Sequence, residues 1–85
     1  MKTFTYTIQD EIGIHARPAG LLVKEAKQFT SSIMLESGDK KADVKKLLAL
    51  MALGIGHGVE VTVSAEGDDE DAAAAGIEGF LKANL

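Results

Sequence analysis

Two stretches near opposite ends of the chain alternate between apolar and polar residues. The first covers residues 3–8, where threonines separate Phe4, Tyr6 and Ile8, and the second covers residues 59–65. Such alternation places apolar side chains on one face of a strand and polar side chains on the other. Strands of this kind need cover on one face only. The pattern therefore predicts a mainly antiparallel sheet with helices on one side and water on the other.

The segment after Pro18 has helical periodicity. Its apolar residues recur at spacings that predict one buried stripe along an amphipathic helix, formed by Ala19, Leu22, Val23, Ala26 and Phe29. Leu21 falls on the opposite side of this helix and is expected to be exposed. Pro18 suits the first turn, where a backbone N–H is not needed by the helix.

Two short strands and a short helix are expected next. Residues 33–35 and 40–44 predict strands joined by a hairpin turn over residues 37–40, with Gly38 at its first central position. Residues 45–53 predict a helix whose leucines and methionine point in too many directions for one buried stripe. We assign Leu50 and Leu53 to the core and expect other apolar side chains of this helix to be exposed.

A last helix is predicted after Gly67. The acidic run over residues 68–71 suits a helix start, where an aspartate can cap free N–H groups and carboxylates meet the positive end of the dipole. Its predicted buried stripe comprises Ala73, Ile77, Phe80 and Leu81. Gly76 and Gly79 would weaken a helix interior, so we expect close contact between this helix and the sheet there. The whole chain, residues 1–85, is predicted to form one α+β domain.

The composition excludes several classes of protein. With 85 residues, 46% of them hydrophobic and only one proline, the chain has the composition of a single globular domain. It contains no cysteine, which excludes disulfides and a thiolate zinc site, and its net charge of −4 argues against nucleic-acid or membrane-surface binding. No apolar run approaches the ~20 residues of a membrane span, and the amino-terminal residues lack a secretory signal pattern. We expect a cytoplasmic protein.

The two histidines differ in their sequence surroundings. His57 lies between two glycines and is predicted to be a solvated loop residue without a role, and neither histidine has metal-ligand neighbours on its own element. His15 directly precedes the helix that contains Pro18. There the free amides of Ala16 and Arg17, with the Arg17 guanidinium, would bind a phosphoryl group carried by the imidazole. Spacing alone leaves open that His15 only borders the helix and that Arg17 is merely solvated.

The segment Gly-Ile-His-Ala-Arg-Pro-Ala over residues 13–19 resembles the active-site signature of the HPr family. These are the histidine-containing phosphocarriers of the bacterial phosphoenolpyruvate-dependent sugar phosphotransferase system. The similarity extends over the whole chain, including residues 22–27 and 61–67. It implies an open-faced β-sandwich of four antiparallel strands with three helices on one face, in the order βαββαβα.

The same resemblance implies a function. His15 would accept a phosphoryl group on Nδ1 from phosphorylated enzyme I and donate it to the EIIA domains of sugar permeases, with Arg17 assisting transfer. Such a protein is a phosphocarrier and not an enzyme with its own small substrate, and it needs no cofactor or metal. We expect a monomer.

The resemblance also implies a docking patch around His15. Its apolar members would be Gly20, Leu21, Leu47, Leu48, Met51 and Ala52, and its basic rim would be Lys24, Lys27, Lys45 and Lys46. Many HPr proteins carry a regulatory serine just before the second helix. Lys46 occupies that position here, so no regulatory serine is expected, and we hypothesise that Lys46 contacts an acidic partner.

Two alternatives are kept beside this interpretation. One is an HPr-like regulatory docking module or a phosphocarrier of the nitrogen-related branch, although both His15 and Arg17 are retained. The other is a small enzyme using His15 as an acid or base, which is disfavoured because the sequence indicates neither a deep pocket nor a carboxylate partner for the histidine.

Overall fold

The computed structural model describes all 85 residues, Met1–Leu85. Four strands form one sheet: β1 (Lys2–Thr7), β2 (Ser32–Ser37), β3 (Lys40–Asp43) and β4 (Glu60–Glu66). Their spatial order is β1-β4-β2-β3, and every neighbouring pair is antiparallel. The alternation seen in the sequence sets the register, because Phe4 and Leu35 both lie opposite Val63 and so share its face.

Three helices cover that face of the sheet. They are α1 (Ala16–Ala26), α2 (Leu47–Ala52) and α3 (Glu70–Asn84). The core between helices and sheet contains the alternating strand residues and the helix stripes, including Leu22, Ile33, Leu35, Leu50, Val61, Val63, Ile77 and Leu81. The threonines of β1 are exposed on the other face. The predicted α+β architecture, open on one side, is confirmed.

The β2–β3 hairpin has the predicted turn. Ser37 pairs with Lys40, and Gly38 and Asp39 are the two central residues. Gly38 has φ +62°, a left-handed conformation that a side chain disfavours, whereas Asp39 has no positive φ. This combination is typical of a type II′ turn, whose twist matches that of the strands.

The second helix is shorter than its sequence predicts. It begins at Leu47, not at residue 45, because Asp43 organises a turn before it. The Asp43 side chain accepts a hydrogen bond from the Lys45 amide at 2.9 Å, and the Asp43 carbonyl accepts one from the Lys46 amide at 3.0 Å. Leu50 and Leu53 are buried, which confirms their assignment to the core.

The predicted aspartate cap of the last helix is wrong. Asp69 is the residue before α3, but its carboxylate makes no capping bond to that helix. It accepts hydrogen bonds from the backbone amides of Thr30 and Ser31, each at 2.9 Å, and from the Ser31 hydroxyl. A long-range contact has replaced the local one. None of the three helices is both long and apolar enough to cross a membrane.

The predicted contact of Gly76 and Gly79 with the sheet is also wrong. A side chain at Gly76 would collide with the ring of Phe29, just beyond α1, whereas Gly79 faces open space. Close approach is therefore needed at one glycine, between α3 and a residue of the α1–β2 connection, and not against strands. Phe29 and Phe80, predicted in buried stripes, are half-buried at the edge of the core.

Candidate functional site

The segment before α1 is held in place by backbone contacts. Gly13 has φ +87°, and a side chain there would overlap the Ile55 carbonyl and the backbone of Gly56. The next residue, Ile14, is buried and donates its amide to the Ile55 carbonyl at 2.9 Å. Only glycine permits this approach. The loop before α1 is thereby anchored to the segment after α2, which fixes the backbone at residue 15.

His15 is the N-cap residue of α1. Its backbone is extended, with φ −106° and ψ −178°, and its carbonyl accepts the Ala19 amide at 2.9 Å. No side chain caps the helix, and its first turn contains no acidic residue. The amides of Ala16 and Arg17 therefore remain without an acceptor in the protein, as the sequence predicts, at the positive end of the helix dipole.

The imidazole of His15 borders a shallow, open pocket of about 240 Å³. The pocket is lined by Asp10, His15, Arg17, Pro18, Leu21 and Asn84. The His15 side chain is 39% exposed. Arg17 is exposed and forms no ion pair, so its guanidinium is free to meet an anion that enters the pocket. The structure therefore brings His15, Arg17 and the two free amides together.

Asp10 is a member of this site that was not expected from the sequence, and the prediction that His15 has no carboxylate neighbour is wrong. Its Oδ1 lies 4.0 Å from His15 Nε2. The same Oδ1 accepts the amides of Ile12 at 2.8 Å and Gly13 at 3.2 Å. Asp10 is in the loop and His15 is at the helix start, so a search along single elements could not pair them. The sequence feature that could have indicated this contact is an aspartate five positions before the histidine, with Gly13 between them to let the loop turn back.

Apolar side chains are exposed on the two helices near the site. Leu48 is 83% exposed, and Leu21, Leu47 and Met51 are each more than a third exposed. Ala52 is exposed and Gly20 is half-buried. Because α1 packs against α2, these residues lie on neighbouring helices. Ile12, in the loop before His15, is 70% exposed and was not singled out from the sequence.

The four lysines predicted to surround this surface fall into two groups. Lys24, Lys27 and Lys46 are exposed and form no ion pair, and Lys46 is the N-cap residue of α2. Lys45 is half-buried. Its Nζ donates to the carbonyl oxygens of Phe29 at 2.7 Å and Ser31 at 2.8 Å. The Lys45 ammonium group therefore binds the α1–β2 connection, and we leave Lys45 out of the predicted docking patch.

The arrangement suits covalent carriage of an anion on an exposed side chain. An imidazole is a nucleophile, free helix amides and a guanidinium bind the oxygens of a phosphoryl group, and the pocket is too open to enclose a small substrate. No cluster of three or more histidine, cysteine, aspartate or glutamate side chains lies together as a metal site would require. The second histidine, His57, is exposed in its loop.

The chain is similar to a known protein family and to several solved structures. A family model described as the PTS HPr component phosphorylation site matches residues 2–83. The structure is similar to HPr of Thermoanaerobacter tengcongensis, with 40% identity, TM-score 0.93, and coverage of 98% of this chain and 93% of that one. It is also similar to the histidine-containing phosphocarrier protein of Mycoplasma, with 38% identity, TM-score 0.91, and coverage of 93% and 90%.

Crh of Bacillus subtilis, which is named for catabolite repression, is a further structural relative. Crh of Bacillus subtilis is 36% identical, with TM-score 0.79 and coverage of 94% of this chain and 92% of that one. That structure is described as a domain-swapped dimer. The relatives therefore include both phosphocarriers and a protein connected with catabolite repression.

Proposed function

Because this chain belongs to the HPr family of phosphocarriers, we propose that it carries a phosphoryl group on His15 from phosphorylated enzyme I to the EIIA domains of sugar permeases. The observation that carries this proposal is the position of His15 at the N-terminus of α1, beside two free amides and the exposed Arg17. The proposed carrier acts in the cytoplasm and as a monomer.

The chemistry of transfer follows from these groups. The lone pair of Nδ1 attacks the phosphorus of the donor, and the bond between phosphorus and the donor atom breaks as the new N–P bond forms. The amides of Ala16 and Arg17 and the Arg17 guanidinium receive the phosphoryl oxygens. The reverse sequence on a second protein returns the imidazole to its starting state.

A protein partner explains features that a small substrate does not. The pocket at His15 is open and shallow, so water is excluded only when another surface covers it. We assign that cover to partners docking on Gly20, Leu21, Leu47, Leu48, Met51 and Ala52, with Lys24, Lys27 and Lys46 at the rim. Exposed apolar side chains with a charged rim are typical of protein interfaces.

Regulatory docking is the second candidate function, and the similarity to Crh is the observation that favours it. In that case the same surface would bind a regulator, or the chain would serve the nitrogen-related branch of phosphotransfer. The presence of both His15 and Arg17 supports transfer over docking alone. Lys46 cannot accept a phosphate as a serine would, so control through this position is not proposed.

The test is intact mass spectrometry after incubation with enzyme I, magnesium and phosphoenolpyruvate. We expect the wild type to gain one phosphoryl group that mild acid removes, and His15→Ala to gain none. His57→Ala is the matched control, since it removes the other histidine and should be phosphorylated normally. A folded wild type that gains no mass, with enzyme I active on another HPr, would favour the regulatory function.

A further inference from the structure

A carboxylate faces the nitrogen of His15 that the proposed reaction leaves free. We infer that Asp10 is a positioning residue: it keeps the imidazole proton on Nε2, so that Nδ1 presents its lone pair, and it stabilises the phosphorylated ring. This inference rests on the proposed function for its consequence in transfer. The position of the ring proton in the unphosphorylated protein does not depend on any partner.

The Asp10 carboxylate is placed by contacts that do not involve His15. Its Oδ1 accepts the Ile12 amide at 2.8 Å and the Gly13 amide at 3.2 Å. Its backbone is held as well, because the Asp10 amide donates to the Leu85 carbonyl at 2.8 Å and the Asp10 carbonyl accepts from Gly13 at 3.2 Å. A carboxylate held on both its side chain and its backbone is a pre-organised negative charge beside the imidazole.

The distance to His15 determines what this charge does. Oδ1 lies 4.0 Å from Nε2, which is too long for a hydrogen bond and short enough for the carboxylate charge to act on that nitrogen. A neutral imidazole holds its one proton on either nitrogen, and the partner of each nitrogen decides which. A carboxylate facing Nε2 favours the proton there, since a lone pair on Nε2 would face a like charge. Such contacts commonly tighten when the reacting complex forms.

The charge balance of transfer gives Asp10 its second role. When the Nδ1 lone pair bonds to phosphorus, the donor's bond to phosphorus breaks and the donor keeps that electron pair. The ring keeps its Nε2 proton throughout and becomes positively charged. No base is needed to remove a proton. Asp10 then faces a cationic N–H, and the attraction between them stabilises the ring in its phosphorylated form.

A purely structural role for Asp10 makes a different prediction. If its carboxylate served only to close the loop over residues 10–13, Asp10→Asn would behave like the wild type, because the amide oxygen can also accept the Ile12 and Gly13 N–H groups. Asp10→Asn thus keeps the loop acceptor and removes the charge. Glu11→Gln is the matched control, because Glu11 is an exposed neighbouring carboxylate outside the pocket.

The first measurement is the proton position on His15, read from long-range ¹H–¹⁵N correlations of the ring in unphosphorylated protein near neutral pH. We expect the Nε2–H form to predominate in the wild type and in Glu11→Gln, and the Nδ1–H share to rise several-fold in Asp10→Asn. A wild-type His15 with its proton mainly on Nδ1 would overturn the inference without any variant.

The second measurement is the single-turnover rate of phosphoryl transfer from phosphorylated enzyme I. We expect Asp10→Asn to slow transfer on the order of 10-fold, the lower end of the effect known for carboxylates that orient metal-binding histidines, and Glu11→Gln to leave the rate unchanged. Equal rates for the wild type and Asp10→Asn would overturn the role in transfer. If the wild type is not phosphorylated at all but its tautomer depends on Asp10, the proposed function fails and the positioning of the ring stands.

Discussion

Each residue around His15 contributes a different property to one small site. In the proposed function, the imidazole would supply the nucleophile, the first amides of α1 would supply neutral donors, and Arg17 would supply a positive charge with paired N–H groups. Arginine differs from lysine here because its planar guanidinium can hold two oxygens of one phosphoryl group at once. Charge and geometry at residue 17 can therefore be separated by substitution.

Arg17→Ala is expected to slow phosphoryl transfer about 100-fold, as loss of one preorganised donor to a developing anion typically does. Arg17→Lys keeps the charge and should recover only part of this rate, because a lysine lacks the paired donors. Rapid-quench measurement of transfer from phosphorylated enzyme I checks both variants. Equal rates for Arg17→Lys and the wild type would show that charge alone matters.

At the scale of the elements, α2 buries one of its large apolar residues and exposes others. Six residues cannot form a long buried stripe, and only Leu50 of this helix is buried. Leu48 is 83% exposed, while Leu50 is 1% exposed. Leu48 and Leu50 lie on opposite sides of the helix, so Leu48 faces solvent and Leu50 faces the core.

The two leucines predict opposite phenotypes. Leu50→Ala should destabilise the fold by about 2–5 kcal/mol, the usual cost of removing a buried leucine side chain. Leu48→Ser should leave stability within about 0.5 kcal/mol. It should instead weaken binding to enzyme I about 10-fold, as loss of an apolar interface contact does. Urea unfolding measures the change in stability, and titration calorimetry measures the change in binding. Unchanged affinity of Leu48→Ser for enzyme I would remove Leu48 from the docking patch.

The adjacent lysines before α2 also have separable roles. Lys45→Met should lower stability by about 1–3 kcal/mol, because two backbone carbonyls lose a charged donor. Lys46→Ser should leave stability unchanged and weaken enzyme I binding at low salt. That loss should disappear at high salt, where exposed charges are screened. Salt-independent binding by both Lys46→Ser and the wild type would contradict a contact with an acidic partner.

At the scale of the whole molecule, contacts between distant segments hold the helices on the sheet. Asp69, just before α3, binds the Thr30–Ser31 turn across 38 positions of sequence. Lys45 binds the same segment by donating to the Phe29 and Ser31 carbonyls. The turn after α1 is thus the point where the segments leading into α2 and α3 meet.

The Asp69 contact predicts a pH dependence of stability. The Ser31 hydroxyl, followed by the Thr30 amide, lowers the pKa of Asp69 from 3.8 to about 2. A carboxyl group whose pKa is lower in the folded state stabilises the fold fully at pH values above its unfolded-state pKa. This stabilisation is lost as the pH falls through the folded-state pKa. Asp69→Asn should therefore be less stable than the wild type at pH 6.

The difference between Asp69→Asn and the wild type should shrink as the pH falls from about 4 towards 2, the range between the two pKa values. Urea unfolding at a series of pH values measures it. Asp68→Asn is the matched control, because Asp68 is exposed and makes no hydrogen bond or ion pair, and its difference should stay small at every pH. A constant difference for Asp69→Asn would contradict the role of the ionised carboxylate.

Much of the fold could be predicted from the sequence because local patterns determine it. Alternation over residues 3–8 and 59–65 identified one-sided strands, and the hairpin at Gly38 followed from turn chemistry. His15 was identified as the start of the first helix, with free amides beside it, because Pro18 marks a first turn. These features depend on residues within a few positions of one another, where chain geometry leaves few alternatives.

Only the tertiary structure decided which groups meet across loops and between elements. It turned the Asp69 carboxylate from its own helix to Ser31, placed Phe29 against Gly76, and directed Lys45 to carbonyls instead of the surface. It also brought Asp10 to the imidazole of His15. The physical reason is that a side chain has several possible partners of similar strength, and the packing of the whole chain selects the one within reach.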